Sequence, residues 1–143
     1  MVTSVTELQQ EIIEFYKKNP CVNYLKFKII PRDDGSVHLE LPVEEIHTNL
    51  YGIIHGGILT TMADTAMGAA CLVCNKKVVT LSLTMDFIHS VSIGTRIIAT
   101  ARVLHDGAHI MNCESELKTE KGNLVAKSTA TFYVLDHFLP MDD

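Results

Sequence analysis

Two groups of residues in this chain of 143 have the types and spacing for polar catalysis. One is the segment Asn49-Leu-Tyr-Gly52-Ile-Ile-His55-Gly56-Gly57, and the other is Asp64, which follows in an otherwise apolar run. Gly56 and Gly57 lack a Cβ, so the backbone there can approach a ligand closely. If a helix begins at that point, its first amides have no intrahelical partner and sit at its positive end. Such amides can hold a carbonyl oxygen that becomes an oxyanion during acyl transfer. Asp64 is the complementary half, because it is the one formal charge between Gly56 and Asn75. A carboxylate in apolar surroundings is costly unless it is paired, hydrated or used. In use, it is a general base toward water or itself a nucleophile.

A distance then decides how the two halves can meet. Gly56 and Asp64 lie eight residues apart, so about 12 Å of helix separates them. A base must come within about 3 Å of its reaction partner, or one water away. Asp64 therefore serves a Gly56 amide only if two copies of the helix pack antiparallel, as a two-fold dimer with shared sites provides. A monomer with full activity would exclude that arrangement. Taken singly, each feature has a plainer reading. HisGlyGly can be a tight helix entry with His55 satisfied by backbone, Asp64 an interface residue, and Asn49 a loop residue. Their combination at this spacing favours a site.

The elements around these residues follow from periodicity and punctuation. Ser4-x-x-Glu7 reads as a capping box, with Leu8, Ile12 and Phe15 at helical spacing and Lys17-Lys18 near the end. Asn19-Pro20 stops that helix. Cys21 to Ile30 reads as β-rich and pairs with the alternating Gly35–Leu41 across Pro31-Arg32-Asp33-Asp34-Gly35. After a loop carrying Pro42 and Asn49, Gly56 to Cys74 is apolar nearly all round, the mark of a buried helix. Alternating strands are then expected over Val79–Phe87, Ile97–Val103, Met111–Leu117 and Ala126–Val134, with turns at Asp106-Gly107 and Lys121-Gly122-Asn123. The class is α+β, a sheet wrapped around one long helix. No repeat or low-complexity linker divides it, so the reading is an amphipathic helix in 1–20 followed by a single domain in 21–143.

Composition narrows the function. Seventeen acidic against twelve basic residues give a net charge of −5, and the scattered lysines and arginines leave no basic footprint for nucleic acid. The 47% hydrophobic content excludes a disordered chain. No apolar run approaches the ~20 residues that span a bilayer, and Glu7, Glu11 and Glu14 stand where a signal peptide would be apolar. Cys71-x-x-Cys74 has no second metal pair and sits late in an apolar helix, so its thiols read as buried small hydrophobes. His38, His47, His89, His105, His109 and His137 form no metal-ligand spacing. A reducing cytoplasm fits. A mean hydropathy of +0.18 is high for a chain this small, and it implies apolar surface covered by a second copy.

The motif Asn49-x-x-Gly52-x-x-His55-Gly56-Gly57-x6-Asp64, followed by Ala66, Gly68 and Ala70, resembles the hotdog-fold thioesterases of the PaaI-like, phenylacetate-pathway type. The resemblance runs over about residues 25–135. It implies the hotdog fold, dimers often paired into tetramers, and hydrolysis of acyl-coenzyme A thioesters without metal or redox cofactor. On it, Asp64 is the base or nucleophile supplied across the dimer, and the Gly56 amide polarises the thioester carbonyl. Asn49 and His55 orient the water or the thioester, Gly57 lies against the substrate, and Ser82 sits nearby from the strand facing Asp64. Relatives often carry a basic residue just after the hairpin glycine, where this chain has Ala108-His109. That leaves Lys76, Lys77, Arg96 and Arg102 as weak candidates for the coenzyme A phosphates. The acyl group is not legible, since Met62, Met67, Met85 and Phe87 would shape its pocket and methionines adapt. The alternative function is a non-catalytic acyl-coenzyme A binder, and a hotdog hydratase would place its acid/base pair in a motif absent here.

Overall fold

The computed structural model describes residues 2–141, with side-chain surroundings from residue 7 onward. Its first helix, α1 (Val2–Lys17), begins before Ser4. The capping box expected there falls on a side chain outside the described residues. Ile12 and Tyr16 are the buried members of the α1 stripe. Phe15 stays 46% exposed and stacks edge-on against Tyr16 and Phe138.

Cys21 to Ile30 is not one β-rich stretch. Pro20–Leu25 forms a second helix, α2, and strand β1 is confined to Lys28–Pro31. The cause is Asn19, whose side-chain oxygen accepts from the Cys21 and Val22 amides while Pro20 sits ready at the first helical position. The dipeptide that ends α1 thus starts α2. The hairpin to β2 (Val37–Pro42) is as the alternation predicts, with Lys28 opposite Glu40 and Pro31 opposite Val37.

A 3-10 turn over Glu45–His47 leads into the loop before α3 (Gly56–Val73). Four long strands follow: β3 (Lys76–Phe87), β4 (Arg96–Asp106), β5 (Ile110–Thr119) and β6 (Leu124–His137). All pairings are antiparallel and the order is β1-β2-β4-β5-β6-β3. The sheet wraps α3, which touches every strand: this is the hotdog fold.

Period-2 alternation builds the inner face. Val37, Leu39 and Leu41, Ile97, Ala99 and Ala101, and Met111, Cys113 and Leu117 all point inward and are buried. Small alanines on β4 let α3 approach, and Met62, Ala63, Ala66 and Met67 fill the contact with no exposed surface. Met62 and Met67 are therefore core residues of a single chain and do not line an acyl pocket. Their positions on α3 face the sheet, and truncating either to alanine would cost about 2–5 kcal/mol. At 18 residues α3 is long and apolar enough to match a membrane span, yet half of it is buried inside the sheet.

Candidate active site

The segment before α3 is held by short local bonds. Asn49 accepts at Oδ1 from the Tyr51 amide at 2.9 Å and from the Ile53 amide at 3.4 Å. Gly52 takes φ +75°, a left-handed conformation that glycine adopts without a steric penalty. The Ile53 carbonyl accepts from the Asn49 amide, and Ile54 donates to the Val91 carbonyl, tying the loop to the chain that follows β3. Asn49 thus shapes the loop with its side-chain oxygen, and its side-chain nitrogen Nδ2 has no acceptor among the described residues.

His55 is the N-cap of α3, and its Nδ1 accepts from the Gly57 amide at 2.9 Å. That single bond separates the two glycines. Gly57 has its amide satisfied, whereas the Gly56 amide has no acceptor among the described residues. It points from the positive end of an 18-residue helix. Beside Gly56 lies a hollow of about 250 Å³, bordered by Ile54, Leu59, Phe87 and Ile88. A Cβ on Gly56 would meet the Phe87 ring at 3.4 Å, the near limit of ordinary contact.

Asp64 is half-buried two turns along α3. Gly57, Thr61, Asp64 and Gly68 share the helix face that the sheet leaves partly open. The carboxylate accepts a hydrogen bond from the Thr80 hydroxyl at 2.6 Å. Thr80, not among the candidate site residues of the sequence, is the β3 residue whose hydroxyl bonds Asp64. Ser82 is exposed on the same strand and makes no side-chain hydrogen bond among the described residues. The β3–β6 register slips between Thr80 and Ser82, and such an irregularity is invisible to a period-2 reading. Within one chain, then, Asn49, His55, Gly56 and Gly57 come together, while Asp64 lies along the helix with Thr80.

Tyr16 of α1 packs beside this open face, its hydroxyl 4.0 Å from where a Cβ on Gly68 would stand. Burial, followed by the neighbouring Cys71 and Asp64, drives its hydroxyl well above the ordinary tyrosine range.

Three of the four basic candidates for a nucleotide contact are engaged elsewhere. Lys76 bonds Asp106 and the Gly107 carbonyl, Arg96 pairs with Glu40, and Arg102 lies 3.7 Å from Asp34. Lys77 is exposed. The Cys71 thiol lies 3.5 Å from Cys113 in the core, and that contact together with burial pushes its proton affinity up, away from thiolate chemistry. Cys74 is only partly buried. Among the described residues, no three His, Cys, Asp or Glu side chains cluster as a metal site would need.

Comparison with known proteins identifies the family and the fold. Residues 51–126 match the family model described as "Thioesterase superfamily". Acyl-coenzyme A thioesterase PaaI of Escherichia coli is 30% identical over 78% of this chain and 79% of that protein. The solved structure of the E. coli PaaI protein from the phenylacetic acid degradation operon superposes with a TM-score of 0.86, at 26% identity, covering 92% of this chain and 96% of that one. Human acyl-coenzyme A thioesterase 13 is 27% identical over 91% of this chain and 96% of its own length. The smu.793 protein from Streptococcus mutans, solved bound to acetyl CoA, superposes with a TM-score of 0.74 at 25% identity, covering 78% of this chain and 90% of that one. With its helix-wrapping sheet and its HisGlyGly entry to α3, the chain belongs to the thioesterase superfamily, as a PaaI-like hotdog thioester hydrolase.

Proposed function

We propose that this protein hydrolyses acyl-coenzyme A thioesters to the free acid and coenzyme A, at sites shared between two copies of the chain. The observation that carries the reading is the division of labour at the start of α3. His55 caps Gly57 and leaves the Gly56 amide free toward an apolar hollow. A thioester carbonyl oxygen resting on that amide gains stabilisation as it becomes an oxyanion. In the base route, the Asp64 carboxylate of the other copy takes a proton from water as the water oxygen bonds the carbonyl carbon. The tetrahedral intermediate then collapses, the carbon–sulfur bond breaks, and the departing thiolate recovers a proton from Asp64. In the nucleophile route, an Asp64 oxygen bonds the carbonyl carbon, the carbon–sulfur bond breaks and coenzyme A leaves as the thiolate. Water then hydrolyses the mixed anhydride, its oxygen going to the acid and a proton to the thiolate, and the Asp64 carboxylate is restored. Asn49 and His55 orient the water or thioester, and Gly57 and Ser82 border the substrate.

The helical separation of about 12 Å between Gly56 and Asp64 requires the second copy, and the exposed apolar edge of β3 offers a surface for it. Two such dimers pair further into a dimer of dimers, as the resemblance implies. No metal or redox cofactor enters either route, and coenzyme A takes part only as a portion of the substrate. We place the protein in the cytoplasm, where its four free cysteines stay reduced. The test is release of free coenzyme A from a panel of short, medium and aromatic acyl thioesters. Asp64→Asn should lower kcat by about 10²–10⁴-fold, with the dimer and the fold retained by light scattering and circular dichroism. Near wild-type turnover in that variant would sink the mechanism, and tight acyl-coenzyme A binding without hydrolysis would turn the reading to a binder.

A further inference from the structure

His47 is a buried imidazole that the mechanism above does not use. It has no exposed surface, and both ring nitrogens are committed. Nδ1 accepts from the Glu44 amide at 2.9 Å, and Nε2 lies 2.7 Å from the Leu25 carbonyl. An amide can only donate and a carbonyl can only accept, so the ring is the neutral tautomer carrying its proton on Nε2. It thereby joins the end of α2 to the 3-10 turn. The His47 main chain continues the connection, because its carbonyl accepts from the His55 amide at 2.8 Å. One residue later, Thr48 bridges Ile54 across the same loop. His55 is in turn the residue whose ring takes the Gly57 amide and leaves that of Gly56 free.

We propose that His47 is a positioning residue for the reaction: by fixing its ring between Leu25 and Glu44 and its carbonyl on His55, it sets the direction of the Gly56 amide. It touches no substrate. The proposal rests on the reading of Gly56 as the carbonyl-polarising donor, and it extends that site to a residue in the core behind it. Oxyanion donors are useful only when held before the charge develops. Misplacement by about 1 Å can cost about 10²-fold in rate.

The test compares His47→Leu, which makes neither bond, with His47→Gln, whose side-chain oxygen and amide nitrogen can replace acceptor and donor. Each is measured on the full chain with the fastest substrate of the thioester panel. Amide exchange at His55 and the amide chemical shift of Gly56 are followed by NMR. The expected result for His47→Leu is a kcat lowered by about 10²-fold with KM little changed, faster exchange at His55 and a displaced Gly56 resonance. His47→Gln should recover most of the turnover and the wild-type resonance. If His47→Leu melts earlier but keeps wild-type kcat and an unmoved Gly56 resonance, the residue is merely structural and the proposal is wrong. If His47→Leu fails to fold, His47→Gln decides: near wild-type kcat and resonance support the proposal, and folded protein with kcat lowered about 10²-fold despite an unmoved resonance overturns it. Were the wild-type chain to hydrolyse no thioester, the functional reading would fall, while His55 exchange and the Gly56 resonance would still decide the positioning role.

Discussion

Strands β1 and β3 both leave a row of backbone groups unpaired at an edge of the sheet, and the chain treats the two rows in opposite ways. β1 has four residues, ends in Pro31, and lies beneath α1. Short length, proline and a covering helix are the devices by which proteins blunt an edge. β3 has twelve residues, and among the described residues no element covers its edge. It exposes Val79, Leu81 and Phe87, at 46%, 57% and 56%. A long apolar edge of this kind is a template for another strand. The same side of the molecule carries Thr80 and Asp64. One edge is finished within the chain, and on the proposed dimer the other would be finished by a copy that also brings the carboxylate.

The largest effect should come from charging the open edge. Leu81→Arg is expected to leave a folded monomer by light scattering with turnover reduced by about 10²-fold or more, whereas Lys28→Glu on β1 should change neither. A Leu81→Arg monomer that turned over normally would break the link between the edge and the site. Next comes Thr80→Val, which removes a hydroxyl bonded to the Asp64 carboxylate. A hydrogen bond to a charged group contributes about 1.5–3 kcal/mol, so kcat should fall by about 10- to 100-fold, and an unchanged kcat would make Thr80 incidental. Phe87→Ala opens the hollow at Gly56 and should raise KM about fivefold or more while sparing kcat, since an apolar pocket contact contributes at least about 1 kcal/mol to substrate binding. The smallest effect belongs to the finished edge. His38 of β2 has its imidazole pushed below the ordinary 6.5 by burial first and then by Arg32, with Arg102 adding and Asp34 opposing. A depressed histidine contributes stability above 6.5 that is lost as pH falls through that value toward the folded one. The melting temperature should therefore decline in mild acid, less steeply in His38→Gln, with the β3 edge indifferent.

Much of this molecule is legible in the residues themselves. The apolar run after HisGlyGly reads directly as α3, and the glycines at Gly35 and Gly107 mark hairpins that form as read. What escapes does so for local reasons. Asn19-Pro20 carries both a stop and a start, and the β-branched residues after it hide a helix of six. Thr80 escapes because alternation sets it and Ser82 on one face of β3 and does not say which hydroxyl bonds Asp64. His47 is a lone histidine in a loop, and only its contacts in space separate it from a surface residue. The two glycines look equivalent until His55 chooses between them.

The distance along α3 between the Gly56 amide and Asp64 has a genetic corollary on the proposed dimer. A subunit lacking only the carboxylate and a subunit lacking only a usable amide are each dead when paired with themselves. Mixed, they restore one intact centre, made from the good half of each, and one doubly broken centre. Random reassortment of equal amounts makes half of all pairs mixed, so activity should return to about a quarter of normal. Two inactive alleles of one gene would then complement each other, because the unit of inheritance is the chain and the unit of catalysis is the contact between chains.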